Sequence, residues 1–252
     1  MSGFIRGFRS VFRGFGLITK PGIRVYVLVP LLINLALFSL GILASVHLLE
    51  KFIDSFLSGW WEWLQWILWP LFAVITLAIV FFGFAIMASL LSAPFNGFLA
   101  EATERHLDSD SAQAPESMGT IVAEINKALI SEVKKFTYFA VRAVPLGLLF
   151  LVPGINIVAP FLWLLFGAWM LSLEYADFPM ANHNILFPEI RQIMSTNKSL
   201  AFGFGLGLML LISIPVLNFI AIPVGVCAAT ILWVENLKIQ RNGNTSDTTE
   251  NS

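Results

Sequence analysis

The chain reads as an all-α integral membrane protein with two long transmembrane helices, two re-entrant helical hairpins and an amphipathic N-terminal helix. Three observations predict this class. Of its 252 residues 57% are hydrophobic and 12% charged, about half the charged share of ordinary soluble domains. Uncharged runs recur that can cross a ~30 Å hydrocarbon core, which takes ~20 residues at ~1.5 Å each. Two later apolar segments, 136–173 (apolar apart from Arg142) and the uncharged 199–234, are broken midway by paired prolines. A net charge of −1 gives no field that would gather nucleic acid, and no nucleic-acid partner is expected. The single cysteine, Cys227, excludes intramolecular disulfides and multi-cysteine metal cages.

Residues 1–18 form the amphipathic helix. At about 100° per residue, Phe4, Phe8, Val11, Phe12 and Phe15 share one face and Arg6, Arg9 and Arg13 another. Aromatic residues opposite arginines suit a helix lying in the bilayer surface, its basic side towards anionic lipid. A calmodulin-type or nucleic-acid helix is the weaker alternative. Five basic and no acidic residues precede Val25, which directs the N-terminus to the cytoplasm. No cleavable signal peptide is expected, because a short apolar core with a small-residue cleavage site is missing here.

The first spanning helix covers 22–50. Thr19-Lys20-Pro21-Gly22-Ile23-Arg24 leads into Val25–Leu49, which carries no formal charge and has Asn34, Ser39, Ser45 and His47 as its polar residues. Pro21 suits a first helical turn. The amides of Gly22, Ile23 and Arg24 would then be unpaired at the positive end of the helix dipole. Gly22 leaves room for a ligand and Arg24 adds a permanent charge, a set able to hold a tetrahedral oxyanion. On the residues alone the plainer reading is the stronger: Lys20 and Arg24 anchor a helix end at the headgroups.

The second spanning helix covers 64–92. Trp60, Trp61, Trp63, Trp66 and Trp69 read as an interfacial belt, in preference to a carbohydrate platform, because the apolar run starts in the same place. Residues 97–135 are a cytoplasmic helical region. Acidic residues from Glu101 to Asp110 lead into a Ser/Ala/Pro linker. Ile121, Ile125, Leu129 and Val133 then repeat at helical spacing against Glu124, Lys127, Lys134 and Lys135, an apolar side that must pack on something.

The hairpins cover 136–173 and 199–234. The first is broken at Pro153-Gly154-Ile155-Asn156 with Pro160 following, the second at Pro215-Val216-Leu217-Asn218 with Pro223 following. Each arm is at or below the length of a full crossing, and turns that deep need protein or a wet cavity around them. Re-entrant hairpins satisfy this; four short tilted crossings of a thin bilayer fit the same pattern. Paired broken segments point to a solute path. Between them Glu174, Asp177 and His183 offer a proton relay, with interfacial capping as the plainer role. Gly203 and Gly207 form a Gly-x-x-x-Gly pair that permits close helix packing. Residues 241–252 are a solvated, disordered tail.

Signatures of catalysis are missing: no phosphate loop, no His-Glu-x-x-His, no nucleophile-elbow serine. His47, His106 and His183 are not spaced as metal ligands on one helix. No catalytic residue, metal or cofactor is expected, and the chain does not read as an enzyme; Arg142, Glu174, Asp177 and His183 would be the only machinery of a membrane-embedded one.

Taken together, the chain resembles the CysZ family of bacterial sulfate permeases over nearly all of 1–240. The resemblance rests on Lys20-Pro21-Gly22-Ile23-Arg24, Val29-Pro30-Leu31-Leu32-Ile33-Asn34, Ala93-Pro94-Phe95-Asn96-Gly97, both Pro-x-x-Asn breaks, and the Glu174–His183 segment. It implies ATP-independent sulfate uptake across the bacterial inner membrane for cysteine synthesis, a multi-pass fold with two hemi-penetrating hairpins, and homo-oligomers built from dimers. The family's Gly-Leu-Arg sulfate motif, often followed by a second arginine, maps onto Gly22, Ile23 and Arg24, with Val25 next. With this resemblance the oxyanion reading of Gly22–Arg24 overtakes the anchor reading, and less side-chain charge is left to hold the anion. A polar path would use Asn34, Asn156, Asn218 and Arg142, with Glu174, Asp177 and His183 as the relay of a proton-coupled version. The alternative is a non-transporting membrane scaffold that docks through its N-terminal helix and cytoplasmic hairpin.

Overall fold

A computed structural model describes residues 2–56, 94–108 and 121–238, with positions 70, 71, 73–75 and 78. Most of the predicted second spanning helix, its tryptophan belt, the linker after Asp108 and the tail at 241–252 lie outside the described residues. The chain divides into two units, Met1–Arg24 with Asn96–Ser252, and Val25–Phe95. Among the described residues there is no strand.

The smaller unit is dominated by helix α2, Arg24–Phe56, 33 residues long. None of its residues from Val25 to Ala44 is buried, and this stretch is long and apolar enough to cross a membrane. A helix apolar on all sides and uncovered by protein matches lipid as its surroundings. Pro30 lies inside it, where the missing N–H leaves one carbonyl of the preceding turn without its helical partner.

The larger unit begins with α1, Gly3–Ile18. Residues 94–107 form α3, followed by α4 (Ile121–Leu148), α5 (Ala159–Ala181), α6 (Phe187–Thr196), α7 (Lys198–Ser213) and α8 (Pro215–Leu232), which runs on into a π-helical turn, Trp233–Leu237. Helices α5 and α8 with its π turn are each long and apolar enough to span; α6 and α7 together are a further candidate, bent by 105°. With α2 this makes an all-α membrane protein with three candidate spans, or four if the bent pair counts as one.

α1 docks on α7 and α8, and its buried residues are Gly7, Ser10, Val11 and Gly14. On the aromatic face expected to meet the bilayer surface, Phe4 and Phe12 are exposed while Val11 is buried against protein. Glycine explains the choice of face. A methyl group on Gly7 would collide with the Leu200 carbonyl, on Gly14 with the Val224 carbonyl, and on Gly203 with the Phe4 carbonyl. Gly207 completes the expected Gly-x-x-x-Gly pair against Val11 and Phe8. Gly205, between them, turns to the other side of α7 and meets the Ala168 carbonyl of α5. Without a hydrophobic drive between helices in lipid, such backbone contacts supply the van der Waals attraction that holds them. At its polar edge α1 is clamped by Arg13, whose two guanidinium nitrogens pair with both carboxylate oxygens of Glu235, one at 2.7 Å, and by Arg6 donating to Asn236 at 3.0 Å.

Both expected helical pairs form, with differences at their breaks. α4 runs unbroken through Lys135–Phe136, so the segments expected to be a cytoplasmic region and the first arm of a hairpin share one helix. The chain between α4 and α5 turns through two 3-10 segments, Leu149–Leu151 and Ile155–Ile157, with Gly154 at φ +85°, a conformation that favours glycine. The second break is far shorter than Pro215–Pro223. Only Ile214 leaves the helical conformation, Pro215 opens α8, and Pro223 lies inside that helix. Proline at a helix start needs no N–H partner, so the residue that reads as a breaker acts as an initiator.

The expected apolar side of the cytoplasmic helix is reversed where it is described. Val133 is 65% exposed, whereas Ser131 and Lys135 are buried. Lys135 is drawn inwards by carboxylates, as set out below. Helix α6 was not predicted. Its buried Phe187, Ile190 and Met194 recur at helical spacing, and Pro188 stands in its first turn.

Alanine at two glycines separates packing from propensity. Gly205→Ala forces its methyl group against the Ala168 carbonyl and lowers the aggregation temperature of the detergent-solubilised protein, at a cost of about 1–3 kcal/mol. Gly16→Ala meets open space and leaves that temperature unchanged or raises it, since alanine gains up to ~1 kcal/mol in helix propensity.

Candidate functional site

Lys20 to Arg24, the link between α1 and α2, holds the predicted oxyanion residues. The Lys20 carbonyl accepts the amides of both Ile23 and Arg24 at 3.1 Å, and Gly22 has φ +89°. Proline second and a positive-φ glycine third is the signature of a type II β-turn. Pro21 therefore opens a turn ahead of the helix, and α2 starts three residues later. Two of the three amides expected to be unpaired are taken up by the Lys20 carbonyl. The Gly22 amide has no hydrogen-bond partner among the described residues. Ile23 is 1% exposed and plugs the turn into the protein, while Lys20, Pro21, Gly22 and Arg24 are exposed. A side chain at Gly22 would meet open space, so nothing blocks approach from that side. The Arg24 guanidinium has no ion-pair or hydrogen-bond partner among the described residues.

The expected relay residues fall into two separate charge clusters. In the first, Lys135, with 10% of its side chain exposed, lies 2.8 Å from Glu132, 3.1 Å from Glu174 and 2.8 Å from Asp177. Burial pulls the Lys135 pKa down, but the carboxylates, Asp177 foremost, outweigh it and hold the ammonium more firmly protonated than usual. In the second, the Glu104 carboxylate is 6% exposed and sits 2.8 Å from His183 Nε2 and 3.0 Å from the Lys238 ammonium, which also reaches Asp108 at 3.4 Å. The His183 ring lies 5.2 Å from the Trp233 ring. The Trp233 indole N–H is buried and has no acceptor among the described residues. Lys135, Glu132, Glu104 and Lys238 were missed by the sequence reading, because charges at such spacings look like a solvated helix face.

The remaining polar candidates stand apart from one another. Arg142 lies on α4 with its guanidinium carbon 3.7 Å from the Tyr138 ring centre. Asn156 is exposed in the turn between α4 and α5, and Asn218 is exposed in the first turn of α8. Their neighbours at these turns are exposed apolar side chains, Leu151, Ile157 and Phe161 in one and Val216 and Phe219 in the other. Asn34 lies on α2, in the other unit. Among the described residues no group of three His, Cys, Asp or Glu could hold a metal ion.

Glu104 gives the second cluster a pH signature. Burial pushes its pKa up, yet the hydrogen bonds from His183 and Lys238 outweigh burial and hold it below its ordinary value of 4.5. A carboxyl depressed by folding adds stability that is present above the unfolded-state pKa and disappears as pH falls through the folded-state value. The melting temperature should therefore fall as pH drops below 4.5. Glu104→Gln should flatten that part of the profile and lower stability at neutral pH by roughly 1.5–3 kcal/mol, the usual worth of hydrogen bonds to a charged group.

Comparison with known proteins identifies the family of the chain. A family model described as Sulfate transporter CysZ/Etoposide-induced protein 2.4 matches residues 10–223. A protein named Sulfate transporter CysZ from Pseudomonas paraeruginosa is 39% identical over 224 residues, covering 88% of this chain and 91% of that one. One of the same name from Pseudomonas fluorescens is 39% identical over 236 residues, covering 90% and 94%. Another from Vibrio cholerae is 36% identical over 244 residues, covering 94% and 96%. The chain belongs to the Sulfate transporter CysZ/Etoposide-induced protein 2.4 family.

Proposed function

We propose that the protein carries sulfate across the bacterial inner membrane, without ATP, to feed cysteine synthesis, and that it works as a homo-oligomer built from dimers. The observation that supports this most directly is the exposed turn at Gly22–Arg24, where the Gly22 amide and the Arg24 guanidinium have no partner among the described residues, in a chain so similar to proteins named sulfate transporters. Sulfate is strongly hydrated, and a membrane protein must offer fixed donors in place of that water. The Gly22 amide, the Arg24 side chain and the exposed Lys20 supply them at the lip of α2. Fuller coordination would require the Ile23 and Arg24 amides to leave the Lys20 carbonyl, so binding would be coupled to an opening of the turn.

In the proton-coupled version the Glu104–His183 pair carries the proton. Imidazole can both take up and give back a proton, and His183 Nε2 lies 2.8 Å from a Glu104 carboxylate oxygen. Glu174 and Asp177, both on Lys135, then act as a separate structural cluster. The scaffold reading is weakened at the N-terminal helix, where the Gly7–Gly14 face is already occupied by α7 and α8.

Flux of radiolabelled sulfate into vesicles holding only the purified protein tests transport: uptake above that of empty vesicles is expected, and its absence would leave the scaffold reading. Arg24→Ala should weaken sulfate binding in isothermal titration about tenfold or more, as loss of a charge-assisted hydrogen bond implies, with folding and insertion retained. An inward proton gradient should raise uptake, and His183→Gln should abolish that increase. Uptake indifferent to the gradient would identify a passive pore.

A further inference from the structure

A second basic recess is found away from the charge clusters. Two adjoining hollows of about 400 and 550 Å³ share Tyr138, Arg142 and Arg191. Lys134 joins them on one side, and Trp169 and Lys198 on the other. Four cationic side chains from α4, α6 and α7 thus line one depression, and no carboxylate lines either hollow. Elsewhere in this unit the cations at Arg13, Lys135 and Lys238 are matched by acids. Arg191 and Lys198 have no acidic partner among the described residues.

The donors are held in place. The guanidinium carbons of Arg142 and Arg191 lie 3.7 and 5.4 Å from the centre of the same Tyr138 ring, so one aromatic ring attracts two like charges that repel each other. The Tyr138 hydroxyl accepts a hydrogen bond from Trp169 Nε1 at 2.9 Å, which fixes the ring and leaves the phenol proton to donate. Apolar side chains, Phe187 in one hollow and Phe202 in the other, line the walls beside the charges. A cluster of fixed donors and positive charge without its own counter-ion is complementary to an oxyanion.

We propose that this recess binds an oxyanion between the two guanidinium groups, with the Tyr138 hydroxyl and the Lys198 ammonium as further donors. The ligand chemistry is a sulfate or phosphate oxygen cluster, from free sulfate or from an anionic lipid headgroup. The sulfate case deepens the transport reading and rests on it; the headgroup case does not.

The test uses the full chain in nanodiscs, as wild type, Arg24→Gln, Arg191→Gln and the double variant. Arg191 is exposed and unpaired, and a monodisperse elution profile checks that its variant folds. In phosphatidylcholine discs sulfate is titrated calorimetrically; in phosphatidylglycerol discs the lipids retained per chain are counted by native mass spectrometry. If free sulfate is the ligand, Arg24→Gln leaves a residual sulfate site whose affinity Arg191→Gln lowers at least tenfold. If the headgroup is the ligand, Arg191→Gln removes one retained phosphatidylglycerol per chain. Arg191→Gln without effect in either arm overturns the proposal. A failure of the Gly22–Arg24 reading shows separately, as sulfate binding unchanged by Arg24→Gln.

Discussion

The larger unit depends on helices brought close enough for their backbones to touch. The Leu200 and Val224 carbonyls rest on Gly7 and Gly14 of α1, the Phe4 carbonyl on Gly203, and the Ala168 carbonyl on Gly205. Helix α7 is thereby gripped on one side by α1 and on the other by α5. In lipid this contact replaces the hydrophobic core of a soluble protein, because a leucine gains little by leaving one hydrocarbon surface for another. The large side chains are accordingly free to face outwards, as they do at the hairpin turns and along α2.

Close packing also explains where the charges go. Once backbones meet, few side chains fit between them, and charges are buried only in matched clusters. Lys135 in the middle of α4 and Glu104 near the end of α3 are the buried centres of two of these, each matched by opposite charges from distant parts of the sequence. Removing one partner from such a cluster leaves the others desolvated without compensation, which makes each cluster a lock between α4 and α5, or between α3 and the end of α8. The recess around Tyr138 is the exception, with its positive charges unmatched by acids.

Much of this architecture can be read from residue order. The uncharged runs locate α2 and the two helical pairs, and Pro153-Gly154 locates the first turn. What escapes is anything decided by partners far away in sequence. The aromatic and arginine faces of α1 are legible, but the face that meets protein is set by Gly7 and Gly14, because the deciding quantity is how near another backbone can come. Pro215 looks like the start of a long break and proves to be a helix start, since proline stops the helix behind it and begins the one ahead by the same lack of an N–H. At the candidate site Pro21-Gly22 was read as a helix opening, although the pair is also the natural centre of a type II turn. Lys135 was placed on a wet face by its spacing, and only Asp177 and Glu174, some forty positions on, account for its burial.

The docking of α1 has a temporal consequence. Its receptors, α7 and α8, begin at Lys198 and Pro215, so α1 is synthesised well ahead of the helices it docks on. At about 5–20 residues per second, the interval is roughly 10–40 s. During that time the Gly7–Gly14 face has no protein to lie on. The aromatic and arginine residues beside it give the orphaned segment a temporary berth at the lipid surface, from which it is reclaimed once α7 and α8 have been made.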